Sequence, residues 1–126
     1  MFSGWRHADM PDVCKAYGLF PELDDWRGKI LLLESCEEYM PPETYKKALE
    51  TLKDTGVFDV VSGVLVGKPM DEVYAAEYKK LLAGVIANKE LPIVCNLNIG
   101  HALPRCILPF GVPAHVDADA QVIRFG

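Results

Sequence analysis

Glu34 and His101 are the two residues whose types and surroundings could do chemistry together. Each closes a short apolar run. Gly28–Glu34 reads GKILLLE and ends on a carboxylate; Leu91–Pro104 reads LPIVCNLNIGHALP and passes from an apolar stretch into Asn98-Ile99-Gly100-His101. Such runs, ended by glycine and polar residues, read as buried strands feeding surface loops. In open α/β sheets ligands sit outside the carboxyl ends of the strands, so both residues stand where chemistry is usually done. Gly100 leaves room for close approach of a ligand or another backbone. A carboxylate that accepts from a ring N–H fixes a histidine's tautomer and stabilises its cation, which is the orienting half of a nucleophile–base–acid triad.

The nucleophile is missing. Ser3, Ser35 and Ser62 are the only serines, and none lies in a G-x-S-x-G turn. Ser62 falls inside an apolar run, and Ser35 stands next to Glu34 on the opposite side of the pleat. Cys36 could approach His101, but a free cysteine among apolar residues usually behaves as a small buried hydrophobe. Glu37 and Glu38 beside His101 make a weak metal cluster, since no H-x-x-x-H or C-x-x-C spacing accompanies them. No cofactor site is expected: Gly63-x-x-x-Gly67 lacks the Lys-Ser/Thr of a phosphate loop. His7 and His115 read as solvated. On residue chemistry alone this is two thirds of a catalytic site.

The elements that would carry these residues follow from periodicity. Pro41-Pro42-Glu43 opens a helix, Tyr45, Ala48, Leu49 and Leu52 share its apolar face, and Gly56 stops it. Val57–Val66 reads as a second buried strand. Asp71 is the expected N-cap of a second helix, whose apolar stripe is Val73, Tyr74, Tyr78, Leu81, Leu82, Val85 and Ile86. The two tyrosines on that stripe suit core packing. Leu91–Asn96 is the third strand. Apolar runs unbroken on both sides of the pleat mark a parallel sheet, and strand–helix–strand–helix–strand is a right-handed βαβαβ run. Cys106–Leu108, Pro113–Asp117 and Gln121–Phe125 read as three short strands, the last two joined through Asp117-Ala118-Asp119-Ala120. The expected fold is therefore α/β: a three-layer βαβαβ core, mostly parallel, with a C-terminal β extension.

Bulk properties limit the partners. The 126 residues are 50% hydrophobic, enough for one domain with a real core. A net charge of −5 argues against nucleic acid or an anionic membrane surface. No apolar run nears the ~20 residues that span a bilayer. MFSGWRHADMPD contains no apolar segment of a secretion signal. Cys36, Cys95 and Cys106, in or beside strand-like runs and forming no CxxC pair, read as reduced and mostly buried thiols of a cytoplasmic protein. Residues 1–27 are irregular, with a short helix over Asp9–Tyr17. They carry Trp5, Tyr17, Phe20 and Trp26, an aromatic set suited to packing across a surface the chain itself does not supply.

GKILLLES, GVFDVVSGVLVGKP and NLNIGHALPRCILPFG, in this order and spacing, resemble the C-terminal domain of the LD-carboxypeptidases and the related microcin C immunity peptidases. The resemblance runs from about Ala16 to Phe125. It implies a swivelling β/β/α-like fold and cytoplasmic serine peptidases with a Ser-Glu-His triad. By motif position Glu34 matches the catalytic glutamate and His101 the catalytic histidine. The serine and oxyanion hole belong to an N-terminal domain, so residues 1–27 would be a linker and 28–126 the base-supplying domain. The implied substrates are murein LD-peptides or aminoacyl-nucleotide conjugates. Homodimers are common in the family, so a homo-oligomer is expected. Ser35 departs from the pattern, which usually has an acidic residue after the glutamate. The alternative from another class is a non-catalytic binding or assembly module of the same fold, in which an uncovered apolar face favours self-association.

Overall fold

The computed structural model describes residues 16–18, 21–35 and 39–126. The helix expected over Asp9–Tyr17 lies mostly outside them, as do Ser3, Trp5, His7, Cys14, Phe20, Cys36, Glu37 and Glu38.

Three parallel strands form the sheet: β1 (Ile30–Leu33), β2 (Gly63–Gly67) and β3 (Ile93–Leu97), in the order β1-β2-β3. Leu31 pairs with Val64 and Val64 with Ile93, so these three share one face. That face carries Leu31, Leu33, Val64, Val66, Ile93 and Cys95 into the core. The helices α1 (Pro42–Asp54) and α2 (Ala75–Ile86) connect the strands. Both crossovers step the same way along the sheet, so right-handed connection puts both helices on one face, where they pack on each other.

Sequence explains both helices. Proline stands in the first turn of α1, where its fixed φ fits and its missing N–H costs nothing, and Glu43 beside it and Lys53 in the last turn suit the helix dipole. Gly56 takes the left-handed conformation (φ 80°) that ends the helix. Tyr45 and Leu49 are buried on α1; Tyr78, Leu82, Val85 and Ile86 are buried on α2. Tyr45 and Tyr78 stack with ring centroids 4.1 Å apart, and the Tyr78 hydroxyl donates to the Met40 carbonyl. The Lys53 ammonium donates to the Val85 carbonyl (2.6 Å), tying the end of α1 to that of α2.

The structure corrects four expectations. Val57–Val66 is not one strand: Val57–Asp59 is a 3-10 turn, and β2 begins at Gly63. Gly56 reverses the chain so tightly that Val57 and Phe58 bury themselves from a turn, with the Val60 and Val61 N–H groups donating to the Val57 carbonyl. Asp71 does not cap α2. It lies in a 3-10 turn (Met70–Glu72) at φ 51°, its carboxylate accepts from the Tyr39 hydroxyl, and left-handed Tyr74 precedes the helix without a side-chain cap. Val73 and Tyr74 accordingly precede the stripe they were expected to extend. Cys106–Leu108 forms no strand and Cys106 is exposed, while Cys95 is half-buried; a buried thiol at 106 needed a strand that Pro104 and Pro109 flank too closely. The tail holds one antiparallel hairpin, β4 (Ala114–Asp117) and β5 (Val122–Phe125), a separate sheet turned where the Asp117 carboxylate accepts from the Ala120 N–H.

One irregularity sits near the carboxyl end of the parallel sheet. Leu65 pairs with Val94 and Gly67 with Leu97, so three steps along β3 answer two along β2. The additional residue is a bulge, and Asn96 within it is left-handed (φ 66°).

Candidate active site

Glu34 directly follows β1 and His101 follows β3, so parallel strands bring both to one edge of the sheet. β1 and β3 do not touch. With β2 between them the two backbones are about 10 Å apart, and the side chains must meet across the end of β2. Gly67 occupies that end. A Cβ there would lie 2.8 Å from the Ile99 carbonyl oxygen and 3.5 Å from the Glu34 Cβ. Gly67 therefore lets the loop after β3 close over the sheet edge toward Glu34.

Gly100 completes the approach. It is left-handed (φ 85°), and a Cβ on it would stand 2.3 Å from Glu34 Oε2. One carboxylate oxygen thus lies against Gly100, and the other, Oε1, faces His101 Nδ1 at 3.8 Å. That is longer than a hydrogen bond. Catalytic contacts are often loose before substrate arrives. Buried Ile99 and Ala102 flank the pair, while the two candidate side chains remain about a third exposed or less. The loop is pinned by the Ile99 N–H donating to the Leu97 carbonyl (2.8 Å) and the Cys106 N–H donating to the Asn98 carbonyl (2.7 Å).

His101 opens onto a cleft of about 410 Å³ lined also by Lys68, Asp71, Glu72, Leu103 and Arg105. Arg105 lies four residues past His101 in the same loop, but nothing in the local sequence marks Lys68 as a neighbour of His101, because it follows β2 and meets the loop only at the sheet edge. A larger concavity, about 810 Å³, lies between the outer faces of α1 and α2, with Lys46, Glu50, Lys53, Glu77 and Lys80 of mixed sign and no nucleophile or histidine. Chemistry points to the smaller cleft. Ser35 is half-buried beside Glu34, and Ser62 donates to backbone carbonyls of Gly28 and Lys29 at the other end of the sheet. His115 is exposed on β4. Among the described residues no cluster of three metal-ligating side chains occurs, and no helix is long and apolar enough to cross a membrane.

Sequence comparison places the chain in a family. The profile of the LD-carboxypeptidase C-terminal domain matches residues 12–116. This chain belongs to that family. A Streptomyces coelicolor protein bearing a carboxypeptidase name is 36% identical over 99 residues, covering 77% of this chain and 31% of its own length. The microcin C7 self-immunity protein MccF of Escherichia coli is 29% identical over 101 residues, covering 76% of this chain and 28% of its own. Among solved structures, an MccF-like protein of Streptococcus pneumoniae crystallised with AMP superposes with a TM-score of 0.89 at 58% identity. That match covers 99% of this chain and 36% of that one. The chain thus spans about a third or less of the relatives it matches. The α/β fold with its parallel sheet is that of the MccF-like relative.

Proposed function

We propose that this chain is the base-supplying domain of a serine carboxypeptidase, with Glu34 orienting His101. In this reading His101 takes a proton from a serine on a preceding N-terminal domain. It then returns the proton to the leaving amine as the amide bond breaks. The observation that carries the reading is Glu34 Oε1 facing His101 Nδ1 across 3.8 Å at the carboxyl edge of the sheet, a placement from which the carboxylate can orient the ring and leave Nε2 for proton transfer. Residues 28–126 form the domain and 1–27 lead into it from the nucleophile domain. Substrates are murein LD-peptides or aminoacyl-nucleotide conjugates, and the family relatives named for carboxypeptidase and microcin immunity support both. The free thiols of Cys95 and Cys106 suit a cytoplasmic setting.

The test is release of a D-amino acid from an LD-linked peptide. The 126-residue chain alone has no turnover, because serine and oxyanion donors are elsewhere; one such donor is worth ~10²–10³ in rate. In the longer protein, Glu34→Gln lowers kcat by about 10³–10⁴, the scale for losing the orienting acid of a triad. Turnover by the isolated chain that Cys36→Ala abolishes would overturn the reading in favour of a cysteine enzyme.

A further inference from the structure

The cleft onto which His101 opens contains charge that proton transfer does not use. Lys68 follows Gly67 at the end of β2, and its N–H donates to the Leu97 carbonyl (2.8 Å), which holds it beside the His101 loop. Its side chain is 19% exposed, so little water competes for the ammonium. Arg105, four residues past His101, lines the same cleft. Two acidic residues share the space but differ in freedom. The Asp71 carboxylate is engaged by the Tyr39 hydroxyl. Glu72 approaches Lys68 at 3.8 Å, yet its own side chain is 68% exposed and free to swing away.

Covalent geometry says what such a cleft meets. If His101 protonates the leaving nitrogen, that nitrogen lies within about 3 Å of the ring. In a peptide whose last residue leaves, the terminal carboxyl carbon is about 2.5 Å from that nitrogen. In a nucleotide conjugate the phosphate lies on the same side of the scissile bond. Either way an anion falls into the cleft that His101 lines, where Lys68 and Arg105 are the cations among the described residues.

We propose that Lys68 and Arg105 are specificity-determining residues that bind the anion carried by the leaving group, and that Glu72 holds Lys68 until that anion displaces it. This rests on the function proposed above. An anion displaces Glu72 readily, because that carboxylate is 68% exposed and stands 3.8 Å from the ammonium, beyond hydrogen-bond length.

The experiment measures inhibition of the longer protein, turning over an LD-linked peptide, by D-alanine and by AMP, with D-alaninamide and adenosine as uncharged counterparts. The expected result is that at least one anion inhibits about tenfold more strongly than its counterpart. Preference for D-alanine identifies a carboxylate, preference for AMP a phosphate. Lys68→Gln and Arg105→Gln each reduce the preference several-fold and raise KM with kcat nearly unchanged; Glu72→Gln, which frees Lys68, lowers KM. Equal inhibition by the uncharged counterparts, or a preference that survives both cation substitutions, would overturn the proposal. A Glu72→Gln variant with raised KM would overturn it too, showing that the cleft receives a cation. Absence of turnover, or turnover indifferent to Glu34→Gln, defeats the underlying functional reading instead.

Discussion

Replacing Gly100 with alanine adds one carbon and tests how the candidate pair is positioned. The new Cβ would stand 2.3 Å from Glu34 Oε2, against 3.4–4 Å for ordinary contact, so the carboxylate must retreat by about 1 Å. It is the end of a flexible side chain, so folding tolerates the move. The larger cost to stability is holding an L-residue at φ 85°, about 1–2 kcal/mol, which lowers Tm by roughly 4–8 °C. Turnover suffers more, because a 1 Å misplacement in a catalytic constellation costs on the order of 10²-fold. Thermal unfolding of the chain and hydrolysis by the longer protein read the two effects separately. A double-mutant cycle with Glu34→Ala then asks whether Gly100 acts through the carboxylate. If it does, Gly100→Ala removes little further activity once the carboxylate is gone, while its stability cost persists because the backbone is still strained. Turnover within threefold of wild type, or losses that simply multiply in the double mutant, would refute the positioning argument.

Two further predictions concern the core and the thiols. Burial pushes the Tyr45 phenol well above its usual value of 10.0. The folded state therefore holds that proton after the unfolded chain has released it, so stability is complete below pH 10 and falls as pH rises beyond it. Chemical denaturation from pH 8 to 11 should show this decline, and Tyr45→Phe should flatten it. Cys106 is exposed and Cys95 half-buried with its thiol pushed up by burial, so iodoacetamide at pH 7.5 should alkylate Cys106 well before Cys95 when the two peptides are followed by mass spectrometry.

The parts legible in the sequence are those fixed by local pattern. Helix α1 starts and stops where Pro42 and Gly56 say, because caps act over one turn. The buried stripe of α2 from Tyr78 to Ile86 follows from spacing alone. Placing Glu34 and His101 at one edge required only parallel strands, β1 ending directly before Glu34 and β3 leading into the loop that carries His101. What sequence did not yield depends on contacts between distant segments. Asp71 looks like a helix cap, but Tyr39, 32 residues away, engages its carboxylate. Val57 and Phe58 look like strand residues because burial selects the same types in a turn as in a sheet. The part played by Gly67 in the site is invisible locally, since the glycine also serves as an ordinary strand end; only the Ile99 carbonyl pressed against it reveals the need.

The bulge in β3 makes the site sensitive to chain length in a way composition does not convey. Side chains alternate along a strand, so each residue added or removed before the loop turns everything after it to the opposite face. The residue gained at the bulge between Val94 and Leu97 sets the phase in which the chain leaves the sheet, and hence the side from which His101 comes back over Gly67. Drift in side-chain identity at Asn96 can be absorbed by another residue that accepts a left-handed backbone. A one-residue deletion cannot, because it would turn the histidine away from Glu34 and buried Ile99 and Ala102 with it. Among descendants of such a domain, the strand and its loop would vary in letters long before they varied in number.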